Sequence, residues 1–539
     1  MISIATMVLV LLGFSTPAFA VELSQDERVR HDDLMVRYRD HMNHVHVAGE
    51  RGTCLTGLIM DLKTDWELFS PEEKIEITGA LAPHKQDLVE PIPPAPEGRQ
   101  NATCWGYQKD NYIDTEHFSV QWADGMATEA DAQAFADSLE ESWEIEINEL
   151  GWREPSGSDR FKMLVMIDDI GGGAGAYTTV ENCSGGYRPY VVASTGSFDA
   201  GNWYKTMACH ELHHAIQYAY GFAHEFWWWE ATATWVEDLV YPYANDWATA
   251  LYMFSQSPHL GMNASAGGGR SQDLFWHTYG MGIWGMFLDQ HVGGNELVKE
   301  TWEETRPYSC QYCAWMPDII EDVGEDFDGL MAEFLARTSV MDYRDRMYLT
   351  DAQRADNVDE LPADGEANSD DRPQSLGMNI IEFDKDLGES GKALEVTFDG
   401  ANSADYWIAV LARGNASLEE YVVFELDSDG DGTAQIAFEG DEPIQLVVSP
   451  VYEDAQGYSY SWSRADDFNY EWSAELVDIT ESGSSEDTGS ADRLPFGDDG
   501  DVADGGEIKG GCNCSTGGVA PIGMALPLLG LMVAVRRRQ

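Results

Sequence analysis

The sequence predicts an α+β protein in two parts, and two observations carry that reading. Between His117 and about residue 345, short strand-like stretches are followed by long helices with apolar faces. Past residue 370 the helical pattern stops, and short strands separated by turns take over. The expected layout is a signal peptide (1–20), an N-terminal extension or pro-segment (21–112) and a mixed α and β domain (113–350). An all-β sandwich (370–479), an acidic disordered stalk (480–510) and a tail with one transmembrane helix (511–539) follow.

Each element has its own signature. "ERVRHDDLMVRYRDHMNH" (27–44) reads as a helix, and "EPIPPAPEGR" (90–99) as a proline-rich connection. "HFSVQW" (117–122) alternates as a strand does. Thr128 and Asp131 make a capping box, after which Phe135, Leu139, Trp143, Ile147 and Leu150 share one helix face before Gly151. "FKMLVMIDDI" (161–170) is a buried or edge strand leading into a glycine-rich turn, and "YVVAS" (190–194) is another strand. A helix begins near Asn202 and ends before Gly221. "WWWEATATWVED" forms a second helix behind it, and its three adjacent tryptophans cannot all face one way. In the second part "ALEVTFDG", "DYWIAVLARG", "EYVVFELDSDGDGTAQIAFEG", "IQLVVSPVY" and "YSYSWSR" are strands of a sandwich.

Composition narrows the function classes. The 539 residues carry 95 acidic against 32 basic side chains, a formal net charge of -63. Such a surface repels phosphate backbones and excludes nucleic acid as a partner. It suits solubility in saline surroundings outside a cell. "MISIATMVLVLLGFSTPAFA" closes on Ala18-Phe19-Ala20, a small-x-small cleavage pattern, although no basic residue opens it; a retained anchor is the plainer alternative. Export implies an oxidising compartment, so Cys54, Cys104, Cys183, Cys209, Cys310 and Cys313 read as disulfide cysteines, with the pairing open.

The chemistry lies in "ACHELHHAIQYAYGFAHEFWWWEATATWVED" (208–238). On a helix, residues four apart share a face about 6 Å apart along the axis, so His210 and His214 can both reach one zinc ion at ~2.0–2.1 Å. Glu211, one step round, stands beside such an ion, where a general base belongs. A third ligand must come from elsewhere, and Glu230 is the candidate. Glu237, seven residues on, is on nearly the same face; it is an alternative ligand or an acceptor that fixes a histidine tautomer. His213 could pair with His210 in place of His214, but Glu211 would then lose its position between two ligands. "DSDGDG" (427–432) spaces Asp427, Asp429 and Asp431 as the first half of a Ca2+ loop does. Phe438 stands where that loop needs a glutamate, and a plain Asp-Gly turn fits equally.

"HELHHAIQ" with "WWWEATATWVEDLVYP" resembles the gluzincin metallopeptidases, in which "EATA" (230–233) corresponds to the motif bearing the third ligand. The run from "HFSVQW" to "FWHTYGMGIWGMFLDQHVGG" is similar to secreted bacterial metalloproteases, many with a C-terminal β-domain. The resemblance implies a small mixed sheet plus a helical active-site subdomain and hydrolysis of a protein or peptide substrate. It further implies zinc on His210, His214 and Glu230, with Glu211 as catalytic base and then proton donor. Tyr279 or His277 of "WHTYG" corresponds to the group that holds the oxyanion, with helix packing as their other role. The tail, with Cys512 and Cys514, an apolar run from Gly518 to Val535 and Arg536 to Arg538, resembles the MYXO-CTERM sorting tails of bacterial surface proteins. That resemblance implies a sorting enzyme acting near Cys512 and attachment to a membrane through the helix or a lipid; a plain anchor is the alternative. Two rival readings stand beside the endopeptidase. One is a surface adhesin or recognition protein with an inactive metalloprotease-like domain; the other is a zinc hydrolase of other bonds or an exopeptidase.

Overall fold

The computed structural model describes residues 23–43, 53–81, 103–171, 174–199, 201–264, 272–303, 314–438, 441–452 and 467–479. The expected signal peptide, stalk and tail lie outside these residues, as do Cys310, Cys313, Cys512 and Cys514. Among the described residues no helix is long and apolar enough to cross a membrane. The fold is mixed α+β.

A six-stranded sheet organises the first part. Its strands are β1 (Thr53–Cys54), β2 (Asn111–Asp114), β3 (Phe118–Trp122), β4 (Met163–Asp168), β5 (Ala174–Cys183) and β6 (Gly186–Ser194), in the order β1-β5-β6-β4-β3-β2. β3, β4 and β6 run parallel; β5 is antiparallel to β6, and β1 lies parallel to β5 at one end. β5 occupies ground that the sequence reading gave to a glycine-rich turn. Its Tyr, Thr and Val residues carry the strand preference that the neighbouring glycines obscure.

Alternation along the strands buries both faces of this sheet. Met163, Val165 and Ile167 face the main helical core, whereas Leu164 and Met166 face a second core. That second core is closed by α1 (Gln25–Asn43) and α2 (Thr56–Thr64) through Leu34, Met35, Tyr38, Leu58, Ile59 and Leu62. The described part of the N-terminal extension up to α3 (Pro71–Leu81) is therefore a packed layer of the fold.

On the opposite face α4 (Glu129–Trp143) starts with the expected capping box at Thr128 and Asp131. Its last turn widens to a π-helical stretch at Glu144–Glu149, which turns Glu146 into the core. α5 (Trp203–Tyr220) ends at Gly221, whose φ of 128° is open to glycine but not to most residues. α6 (Phe226–Val240) packs along it. Trp227, Trp228 and Trp229 are all buried in the main core. Next come α7 (Trp247–Gln256), α8 (Gln272–Gly280), α9 (Gly282–Phe287), α10 (Gly294–Glu303), α11 (Met316–Asp322) and α12 (Phe327–Val340). α9 approaches α6 so closely that a Cβ on Gly285 would lie 3.0 Å from Cβ of Trp235.

The second part is two sheets facing each other across a core that includes Phe383, Val396, Phe398, Leu411, Leu446 and Trp472. One sheet has the order β13-β10-β15-β8 and the other β12-β11-β14-β9-β7. These strands are β7 (Asp356–Val358), β8 (Ala363–Glu366), β9 (Asn379–Phe383), β10 (Lys392–Gly400), β11 (Tyr406–Gly414), β12 (Leu418–Val423), β13 (Asp431–Ala437), β14 (Ile444–Val451) and β15 (Tyr470–Asp478). Two of them precede residue 370. β11 and β14 are buried on both faces, because α12 packs against their outer side. Asp427, Asp429 and Asp431 form a tight turn before β13: Oδ1 of Asp427 accepts the backbone N–H groups of Asp429 (2.9 Å) and Asp431 (3.1 Å).

Candidate metal centre

His210 and His214 leave α5 on one face, and Glu230 leaves α6 towards them. Nε2 of His210 and Nε2 of His214 are 3.1 Å apart, and Oε2 of Glu230 is 3.2 Å and 3.4 Å from them. The other ring nitrogens are taken: Nδ1 of His210 lies 2.9 Å from Oε1 of Glu237, and Nδ1 of His214 lies 2.7 Å from Oε1 of Gln217. The Gln217 amide is itself fixed, since its Nε2 donates to the Trp229 carbonyl (2.9 Å) and the Thr232 hydroxyl (2.8 Å). Both imidazoles thus point Nε2 at the same point in space.

Two lone-pair nitrogens and a carboxylate oxygen at such distances require positive charge between them. Ligands held ~2.0–2.1 Å from a tetrahedral ion stand about 3.3 Å from each other, which the observed triangle of 3.1, 3.2 and 3.4 Å fits. Without a metal a proton on His210 serves instead. Burial lowers the basicity of that ring, but hydrogen bonds with Cys54, Glu230 and Glu237 outweigh it and raise its pKa well above the usual value. Glu230 is held down to about 2; burial works against ionisation, and the charges and hydrogen bonds of His214 and His210 overcome it.

A fourth donor comes from a residue that the sequence reading assigned to a disulfide. Cys54 is a free thiol on β1, and one ligand atom each from Cys54, His210, His214 and Glu230 all lie within 4.8 Å of one another. Together they form a group that could hold a metal ion. The disulfide expectation is corrected here: Cys104 and Cys183 are joined, while Cys54 and Cys209 are free. A thiol 156 residues before His210 has no local pattern to betray it. The sheet brings it there, because β1 pairs with the same β5 that packs on α5.

Glu211 is completely buried beside this group. Its Oε2 accepts from the Thr178 hydroxyl at 2.6 Å and from the Thr56 hydroxyl at 3.3 Å, while Oε1 has no hydrogen-bond partner among the described residues. An unpaired buried carboxylate oxygen costs about 1–3 kcal/mol or more, and this one is left able to accept a proton or a hydrogen bond from a molecule bound there. Tyr279 also faces the site: its hydroxyl donates to the Cys54 carbonyl at 3.1 Å and is within hydrogen-bonding range of Glu230. Burial, then the nearby Glu230, Cys54 and Glu211, push its pKa well up and keep it a protonated donor.

The other candidates sort themselves. Glu237 does not join the donor triangle but braces His210. His213 points the other way, with Nδ1 2.9 Å from Oε2 of Glu146. His277 is buried with its Nε2 on the Gly261 carbonyl at 3.1 Å, so of the two oxyanion candidates Tyr279 alone lies at the site. A cavity of about 180 Å³ adjoins the group; Cys54, His210, Glu211 and Tyr279 open onto it, and Trp203, Met207, Trp247 and Trp276 wall it.

Residues 91–473 match the model of a family of unknown function (DUF6055), and the chain belongs to that family. Cys54 and helices α1 to α3 lie upstream of the matched stretch. No curated protein matches the chain.

Proposed function

We propose that the protein is a zinc-dependent endopeptidase with a gluzincin-type catalytic part, exported and displayed at the cell surface. The observation that carries this reading is the donor triangle of His210, His214 and Glu230 beside Glu211, a buried carboxylate with one unpaired oxygen. Zinc held there supplies Lewis acidity, bringing the pKa of water towards neutrality and polarising a peptide carbonyl.

The residues divide the remaining work. Glu211 takes a proton at its free Oε1 and later delivers one to the departing amine nitrogen. Thr178 anchors the other oxygen, so the carboxylate cannot rotate out of reach. Tyr279 donates its hydroxyl to the carbonyl oxygen on which charge develops. Its bond to a backbone carbonyl, that of Cys54, is the kind of contact such a role needs. Glu237 and Gln217 fix the two rings. The tryptophan-walled cavity would accept an apolar side chain of the substrate. The ends of the sequence support export and surface attachment.

A second reading is a surface recognition protein whose metal centre is closed and structural. Cys54 favours it, because four protein donors leave no open position. Zinc content and casein hydrolysis, measured for the wild type, Cys54→Ala and Glu211→Gln in the Cys54→Ala background, separate the two. One zinc per chain throughout, with hydrolysis abolished by Glu211→Gln, is the expected result. Zinc retained with no hydrolysis by either of the first two proteins overturns the endopeptidase.

A further inference from the structure

One short segment of the chain occupies each group that a substrate would need. β1 lies along the outer edge of β5, with the Leu55 N–H donating to the Ala176 carbonyl at 2.8 Å. An extended peptide bound beside this site would add to that same edge. The thiol of Cys54 stands among the donors of the metal group. The carbonyl of Cys54 takes the Tyr279 hydroxyl at 3.1 Å. Two residues on, the Thr56 hydroxyl donates to Oε2 of Glu211 at 3.3 Å and accepts the Thr178 backbone N–H at 2.8 Å. Sheet edge, fourth coordination position, carbonyl holder and general base are all engaged by Thr53 to Thr56.

From this we infer that Thr53–Thr56 is an internal latch: the Cys54 thiolate is the fourth ligand of the metal, and the folded chain stays inactive until this segment withdraws. The inference rests on the endopeptidase reading for what is being inhibited, but the coordination itself does not. A sulfur, two imidazoles and a carboxylate are a donor set that zinc accepts, and the thiol proton leaves to solvent when the metal binds.

Two features separate a latch from a permanent structural ligand. A closed structural centre has no use for Glu211, whose Oε1 remains unpaired at full burial, nor for the cavity onto which that residue opens. Withdrawal is also local. β1 is two residues long and lies at the end of the sheet, so leaving breaks few backbone bonds. Withdrawal takes Leu55 out of the core behind the sheet and Thr56 off the start of α2, while Leu34, Met35, Tyr38, Leu58, Ile59 and Leu62 of α1 and α2 stay in that core. The fit is nevertheless close: a Cβ on Gly57 would fall 2.0 Å from the Phe226 ring, so a larger residue there has to displace that ring.

The test uses the full chain loaded with zinc or with cobalt(II). X-ray absorption of the zinc form should show one sulfur at about 2.3 Å. Cobalt(II) should show a thiolate charge-transfer band. Cys54→Ala should lose both signals and bind acetohydroxamate at least roughly tenfold more tightly than the wild type, because the competing ligand is gone. Cys54→Ser, closer in volume, should behave the same way and guards against misfolding. Lack of sulfur around zinc in the wild type overturns the latch, and so does equal acetohydroxamate affinity in wild type and both variants. If the variants bind acetohydroxamate tightly yet cleave no protein, the latch stands and the endopeptidase reading falls.

Discussion

Nδ1 of His210 lies 2.9 Å from Oε1 of Glu237, so a carboxylate two helical turns past Glu230 braces the ring whose other nitrogen faces Glu230. Glu237→Gln keeps an acceptor but removes the charge that makes the imidazole a stronger ligand. Zinc affinity should fall roughly 10–100-fold with stoichiometry unchanged, as measured by competition with a chromogenic chelator. Complete loss of zinc would instead make Glu237 a ligand.

The pair formed by Glu146 and His213, both fully buried, should be uncharged. Burial pushes the Glu146 carboxyl well up, and it pushes the His213 ring well down, assisted by His214 and His210. Both shifts favour neutral forms sharing one proton across 2.9 Å. Glu146→Gln should therefore be tolerated within about 1 kcal/mol, since an amide can still donate to Nδ1. Glu146→Leu should cost roughly 1–3 kcal/mol by stranding that nitrogen. Urea denaturation decides; equal losses for Gln and Leu would show an ionic pair.

Metal removal should destabilise the fold. An ion present at about a thousand times its dissociation constant contributes about 4 kcal/mol to a folded state that alone binds it. Chelation should lower the melting temperature of the wild type and leave that of Glu230→Ala nearly unmoved. Equal responses from the two would place the stabilising ion elsewhere.

Acid should weaken the protein through His277. Burial, with His259 assisting, lowers this ring from 6.5 to about 4 despite its bond to the Gly261 carbonyl. The unfolded chain takes up the proton first as pH falls below 6.5, so stability present above that pH is lost towards pH 4, by up to about 3 kcal/mol. Asp33 and Asp238, raised to about 6 mainly by burial, act with the opposite sign below pH 6. The contribution of His277 is therefore the difference between wild type and His277→Gln. Parallel stability curves from pH 7 to 4 would contradict it.

Helical periodicity made much of the site legible. Spacing puts His210, Glu211 and His214 on one helix, and the resemblance of "EATA" to the gluzincin motif, more than spacing, singles out Glu230 over Glu237; His210, His214 and Glu230 do meet. Cys54 was hidden because sheet pairing, not spacing, brings it to α5, and because an even number of cysteines in an exported chain suggests disulfides. β5 was hidden by the glycines before it. Glu146 was hidden by the π-helical turn, which moves a residue from the face that a regular helix would give it. In the second part most strands were legible, since turn residues separate runs of β-branched and aromatic side chains. β7, β8, β9 and β15 were not singled out, and the expected strand "YSYSWSR" (458–464) lies outside the described residues.

Tyr406 donates its hydroxyl to Asp328 at 2.9 Å, and beside it Ile408, Val410 and Val447 belong to the same apolar core as the helices. The sheet of β11 and β14 is thus a party wall, plastered on both sides. Neither room stands without it, so heating should melt both parts in one transition. A graft that moves the sandwich to another protein would carry a raw greasy face with it. A destabilising change on either side of that wall therefore reaches the other, and the family match at residues 91–473 runs through both.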